Sequence, residues 1–162
     1  MIEERSGWFV VNVRNARWHS RDAFGNVCFF DDPSHSFADV GIRLYRLEPG
    51  KPNCRYHRET AQEDFLVLAG HCLLLVNGEE RSLGPWDFVH CPPNVTHVFV
   101  GAGEGPCLLL AIGHRPQEIE IFYPECELAR RYNAESPEPT ASPDVAYADL
   151  PPWQPTDPPP ID

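Results

Sequence analysis

The chain has 162 residues and a formal net charge of −11, with 13 Lys and Arg against 24 Asp and Glu. This length is enough for one domain with a hydrophobic core that needs neither metal nor disulfide staples to fold. The charge disfavours nucleic acid and anionic membrane surfaces as partners, because the attraction to phosphate that drives both would here be repulsion.

The start, Met1-Ile2-Glu3-Glu4-Arg5, is acidic, and the apolar run from Trp8 to Val13 is short and interrupted by Asn12. Neither a signal peptide nor a membrane span is expected, so the expected location is cytoplasmic. Trp8 to Val13 is the first strand candidate. Val27 to Phe30, Val40 to Leu47, Asp64 to Ala69, Cys72 to Val76, Phe88 to Cys91, Val95 to Val100 and Cys107 to Ile112 follow. Short apolar runs between turn signals, with almost no helical periodicity, predict an all-β chain. Asn77-Gly78 is the sharpest of those signals: both residues accept positive φ, so they predict a two-residue hairpin joining Leu73–Val76 to Glu79–Leu83. Runs apolar on both faces suit a closed or double-sheet arrangement rather than a half-solvated sheet. One short helix is expected at about Glu125 to Arg131.

The composition changes after about Asn133. Nine of the 18 prolines lie between Ala134 and Asp162, among few aliphatic residues, so the chain divides into a barrel domain (1–133) and an extended proline-rich tail (134–162). Two readings of the tail stand side by side. It is a solvated end, or it docks on the barrel or on a partner through Tyr147, Leu150 and Trp153.

Six cysteines, at 28, 54, 72, 91, 107 and 126, form no Cys-x-x-Cys pair and fall largely in apolar runs, which predicts reduced, buried thiols. Cys54 and Cys91 stand near the residues considered next and are candidates to line a cavity.

His57, Glu59 and Glu63 are separated by even numbers of residues, so in an extended segment they project from one face. His97 lies beyond a strand-turn-strand stretch, and closing a barrel would set it opposite those three. Two imidazoles and two carboxylates around one point would suit one divalent metal ion, such as Zn, Fe, Mn, Ni or Co. Without Glu59 the set reduces to two His and one carboxylate.

The spacing within these stretches resembles the two motifs of the cupin superfamily. From His57, x-Glu59, three residues, Glu63, six residues and Gly70 reproduce the first motif, with Glu59 where a second His usually stands. Trp86-Asp87, then Pro92-Pro93-Asn94-Val95-Thr96-His97 and Gly101, are similar to the second, with Trp86 and Asn94 in glycine positions and Gly101 in an Asn position. Asn94 is the mildest departure, because Asn tolerates the left-handed conformation of a turn glycine.

The resemblance implies a double-stranded β-helix, or jelly roll, that binds a divalent metal (Zn, Fe, Mn or Ni) and a small-molecule ligand. The function it suggests is action on a small oxygen-rich metabolite, oxygenase-like or isomerase-like, with a non-catalytic binding or sensing module as the alternative. A homodimer is also expected, with Leu108–Ile112 available for an isologous interface. Arg43, Tyr45, Tyr56 and His90 are candidates to face the cavity, and none of them is assigned a catalytic role.

Overall fold

The computed structural model describes residues 2–5 and 7–161, with backbone only at 2–5. Met1, Ser6 and Asp162, including the outer limits of the two expected regions, lie outside the described residues. The first elements are strands β1 (Ile2–Arg5), β2 (Trp8–Val11), β3 (Arg17–Arg21), β4 (Gly25–Phe29) and β5 (Val40–Leu47). Next come β6 (Arg58–Glu59), β7 (Glu63–Ala69), β8 (His71–Val76), β9 (Glu79–Leu83), β10 (Phe88–Cys91), β11 (His97–Ala102) and β12 (Cys107–His114). The chain ends with β13 (Ile121–Phe122), helices α1 (Glu127–Arg131) and α2 (Pro143–Ala146), and β14 (Gln154–Thr156). No helix among the described residues is long and apolar enough to cross a membrane.

A seven-stranded antiparallel sheet runs β10-β7-β12-β5-β4-β3-β14. A second sheet, β11-β8-β9, is extended by bridges from Pro52 to Val100 and from His57 to His97. The inner faces of the two sheets meet in a core of Leu47, Phe65, Val67, Leu74, Phe99 and Leu109, each worth about 1.5–3 kcal/mol on burial. This is the all-β jelly roll expected from the sequence. Asn77 and Gly78 both take positive φ (48° and 81°), as a tight hairpin between β8 and β9 requires. Asn94 likewise sits at φ 70°. Gly101 is dictated by close approach, since a Cβ there would lie 2.3 Å from the Glu48 carbonyl oxygen.

The second apolar face of the central strands is covered from within the chain. Trp18, Cys28 and Leu44 form an outer cluster on which Val13, Ala16, Phe30, Leu68 and Ile161 pack. Five strands and a helix carry no apolar run long enough to mark them in the sequence: β1, β3, β6, β13, β14 and α2. In β3 (Arg-Trp-His-Ser-Arg) only Trp18 is buried, and backbone pairing with β4 and β14 defines the strand. Pro155 is accommodated in β14 because that strand is the sheet edge.

Residues after 133 lie against the barrel. The buried Arg55 guanidinium donates to the carbonyls of Asn133 (3.2 Å), Glu135 (2.7 Å) and Ala146 (3.2 Å), and its Nη2 donates to both carboxylate oxygens of Asp149 (2.7 and 2.8 Å). The Arg55 backbone N–H donates to the Tyr147 hydroxyl at 3.1 Å.

Candidate metal centre

One group of potential metal ligands is brought together among the described residues: His57, Glu63 and His97, whose ligand atoms lie within 4.8 Å of one another. Their arrangement differs from the single-face reading. The chain turns at Thr60–Gln62 between β6 and β7, so His57 and Glu63 come from opposite sheets. His57 and His97 are instead neighbours on one sheet. Their backbones exchange hydrogen bonds (His57 N–H to His97 carbonyl, 3.2 Å; the reverse, 2.8 Å), and their rings are 5.2 Å apart. Asn53 holds this edge in register: its backbone N–H donates to the Phe99 carbonyl, and its Oδ1 accepts from the Phe99 N–H, both at 2.9 Å.

Both imidazoles are oriented through Nδ1, which donates to a backbone carbonyl: Arg55 for His57 (2.8 Å) and Val95 for His97 (3.0 Å). Nε2 of each ring is thereby aimed at Glu63 Oε2, at 3.8 Å from His57 and 3.2 Å from His97. That oxygen is buried and accepts no hydrogen bond. A carboxylate oxygen without a donor, faced by two anchored imidazole nitrogens, fits a divalent cation as shared partner, and anchoring of the far ring nitrogen is how metal-binding histidines are held. Two N and one O donors suit Zn, Fe, Mn or Ni.

The electrostatics follow from burial and mutual contact. Burial and the neighbouring His97 push His57 down to about 4. Burial opposes charge on His97 too, yet its contacts with Cys91 and Glu63 outweigh that and raise it to about 10. Burial also works against charge on Glu63, but the two histidines hold it below the ordinary carboxylate range.

Glu59 stands outside the three-residue group but lines the same cavity, and burial together with Glu63 pushes it up to about 7. The cavity, about 290 Å³, also presents Arg43, Tyr45, Cys54, His114 and Tyr123. Of the side chains expected to face it, Arg43, Tyr45 and Cys54 do. Tyr56 instead accepts from the Gly78 N–H at 2.9 Å, and His90 pairs with Asp64 at 2.6 Å on the outside of β10. Cys91 is buried in the core, in contact with His97. Tyr123 and His114 had no sequence signal beyond their types. Tyr123 follows a two-residue strand too short to show alternation.

Residues 43–113 match the family model of the cupin domain. Among solved structures, the chain is similar to a protein of Acidithiobacillus ferrooxidans assigned as a sugar phosphate isomerase (25% identity, TM-score 0.54), covering 59% of this chain and 64% of that one. It therefore spans under two thirds of that protein's length. It is also similar to a sugar phosphate isomerase of the cupin superfamily from Silicibacter pomeroyi (20% identity, TM-score 0.63; 73% and 83% covered). A polyketide cyclase from Streptomyces resistomycificus shares the fold as well (15% identity, TM-score 0.58; 68% and 82% covered). No curated protein matches the chain.

Proposed function

From a chain that carries a cupin domain, we propose a metal-dependent enzyme that moves a proton on a small oxygen-rich metabolite, in the isomerase-like manner. The carrying observation is that the His57–Glu63–His97 group opens onto a cavity with convergent polar side chains rather than a sealed apolar void. A divalent cation held by these three would polarise substrate oxygens and acidify the neighbouring C–H or O–H. Glu59, a carboxylate in the cavity but outside the ligand group, would accept that proton, and the Tyr45 and Tyr123 hydroxyls would orient the substrate. The strands keep these groups fixed while the barrel limits bulk water.

The test begins with elemental analysis of the purified protein. A panel of hydroxy and oxo compounds in D2O, followed by NMR, then reports exchange of the proton beside the carbonyl. Glu59→Gln should keep about one metal per chain and lose exchange by roughly 100-fold or more. If the wild type takes up no metal, or Glu59→Gln exchanges like wild type, the reading fails. Binding without exchange would make the chain a sensing module. Loss of metal in Glu59→Gln would make Glu59 a fourth ligand.

We further propose that the chain pairs with a second copy through the outer face of β12. Phe88, Leu66 and Leu110 form one cross-strand row there, which ends at the covered Leu44, and Phe88 is 65% exposed. Scattering that reports a monomer of 18.3 kDa at micromolar concentration would sink this.

A further inference from the structure

A second and larger cavity, about 520 Å³, adjoins the metal cavity and shares with it Arg43, Tyr45, Asn53, Cys54 and Tyr147. Its volume lies within the ~300–1,000 Å³ typical of small-molecule sites. Strands β3 to β5 form one wall, and the segment from Pro143 to Trp153 forms the other. Most of the lining is aromatic or aliphatic, and two guanidinium groups enter it.

Arg21 comes from the end of β3. Its guanidinium lies over the rings of Trp153 (5.0 Å), Tyr147 (5.4 Å) and Phe24 (5.7 Å), and its Nε is buried without a hydrogen-bond partner. Arg55 lies over the same Phe24 ring at 5.7 Å, but its charge is answered by Asp149. No carboxylate pairs with Arg21 among the described residues. Burial, reinforced by the charge of Arg55, pushes its pKa down despite the opposing influence of Tyr147.

Arg43 projects from β5 on the same face as Tyr45 and Leu47, which puts it inside the barrel, yet it is the exposed residue of that strand. Its guanidinium contacts the Phe29 ring at 5.4 Å and is hydrogen-bonded to Tyr45; Glu63 and Asp31 also favour its charge, but neither is within ion-pair distance of it. The single carboxylate of the lining, Asp144, is solvent-exposed at the rim and pairs with neither arginine. In a chain of net charge −11, two arginines that face one cavity and pair with no carboxylate of its lining leave room for an added anion.

We propose that this chamber binds a small carboxylic acid with a flat, ring-sized body, its carboxylate taken by Arg21 and Arg43 and its body held among Phe24, Phe29, Tyr147 and Trp153. Arg43, common to both cavities, would direct the opposite end of the molecule toward His57, Glu63 and His97. That the acid is the substrate of the metal site rests on the function proposed above. That the chamber binds it rests on the arginines alone.

Isothermal titration calorimetry with benzoate, and with the isosteric neutral benzamide, separates the two statements. Wild-type protein should bind benzoate at least about tenfold more tightly than benzamide, with or without metal, because a hydrogen-bonded charge contributes at least that much. Arg21→Gln should weaken benzoate about tenfold or more, leave benzamide unchanged, and keep the metal content of wild type. The wild-type comparison stands even where a variant folds poorly. Equal binding of benzoate and benzamide, or an unchanged benzoate constant in Arg21→Gln, would overturn the anion site. Phenyl phosphate binding more tightly than benzoate would overturn the choice of carboxylate. Benzoate binding by a protein that takes up no metal would uphold the chamber and reject the enzyme reading.

Discussion

The two cavities of this barrel handle charge in opposite ways. In the metal cavity, positive and negative groups answer each other: His97 and Glu63 contact at 3.2 Å, and each favours the charged form of the other. In the adjoining chamber, Arg21 and Arg43 form no ion pair among the described residues, while Arg55, a neighbour on the same ring, is fully paired. The chain had acidic residues to spare, so the unpaired arginines are a local feature and not a shortage. The difference teaches that one cavity is built to hold a cation and the other an anion, side by side.

The largest expected effect is on the cation side. His97→Ala should abolish stoichiometric metal binding, and the loaded protein should lose about 3–4 kcal/mol of stability relative to wild type at a hundred to a thousand times Kd. Metal affinity in wild type should also fall as pH is lowered, because only unprotonated imidazole nitrogen and ionised carboxylate coordinate. Elemental analysis and unfolding with and without chelator measure both. Benzoate binding in the chamber should survive the substitution. If it is lost as well, the two cavities are one site.

Arg55 joins the regions, since its carbonyl orients His57 and its guanidinium fastens the tail over the chamber. Arg55→Ala leaves the carbonyl in place and removes the fastening. Breaking a buried pair costs about 3–5 kcal/mol, and Asp149 is half exposed, so about 3 kcal/mol is expected, or roughly 6–12 °C in Tm. Limited proteolysis should then cut beyond Asn133, and metal content should stay near wild type. A tail that resists protease in Arg55→Ala is held by something else.

A third probe acts on the chamber wall. Cys28, on β4, faces away from the cavity into the Trp18–Leu44 cluster, and burial pushes its thiol up to about 11 from an ordinary value near 9. Above pH 9 the unfolded chain releases this proton and the folded chain keeps it. The contribution is therefore fully present below pH 9 and is lost as pH rises through 11. Its upper limit is about 2–3 kcal/mol. Cys28→Ala should flatten the decline of stability between these pH values, and native Cys28 should resist thiol reagents at pH 7.5. A slope identical to wild type would assign the alkaline loss to other groups.

How far each region could be read from the sequence follows from the same contrast. Glu63 and His97 open the strongly apolar strands β7 and β11, where spacing and strand signal agree, and His57 stands at an even spacing before Glu63, so all three are legible in the sequence. Their geometry is not, because the turn at Thr60–Gln62 carries no Gly or Pro and even spacing makes it look like continuous strand. The chamber was invisible for a different reason. Arg21 ends a strand whose pattern is polar, and its aromatic partners Tyr147 and Trp153 lie more than a hundred residues away in a proline-rich segment of low apolar content. The docking alternative for this segment named Tyr147, Leu150 and Trp153, which line the chamber, but nothing in the sequence tied them to Arg21.

The smallest expected effect supplies the baseline for the others. Trp86 occupies a position where the cupin motif has glycine, and the backbone keeps the glycine conformation, with φ 74°. An L-residue there costs about 1–2 kcal/mol, and the side chain is 74% exposed, so packing returns little of it. Glycine would relieve this strain while adding about 0.4–1 kcal/mol of unfolded-state entropy. Trp86→Gly should therefore stabilise the isolated chain by about 0.5 kcal/mol, or roughly 1–2 °C in Tm. Metal content and benzoate affinity should be those of wild type, because neither cavity includes Trp86. A fall in Tm that deepens on dilution would mean that this exposed indole is covered by a second copy of the chain, and would carry the proposed dimer face past Phe88 to the loop before β10.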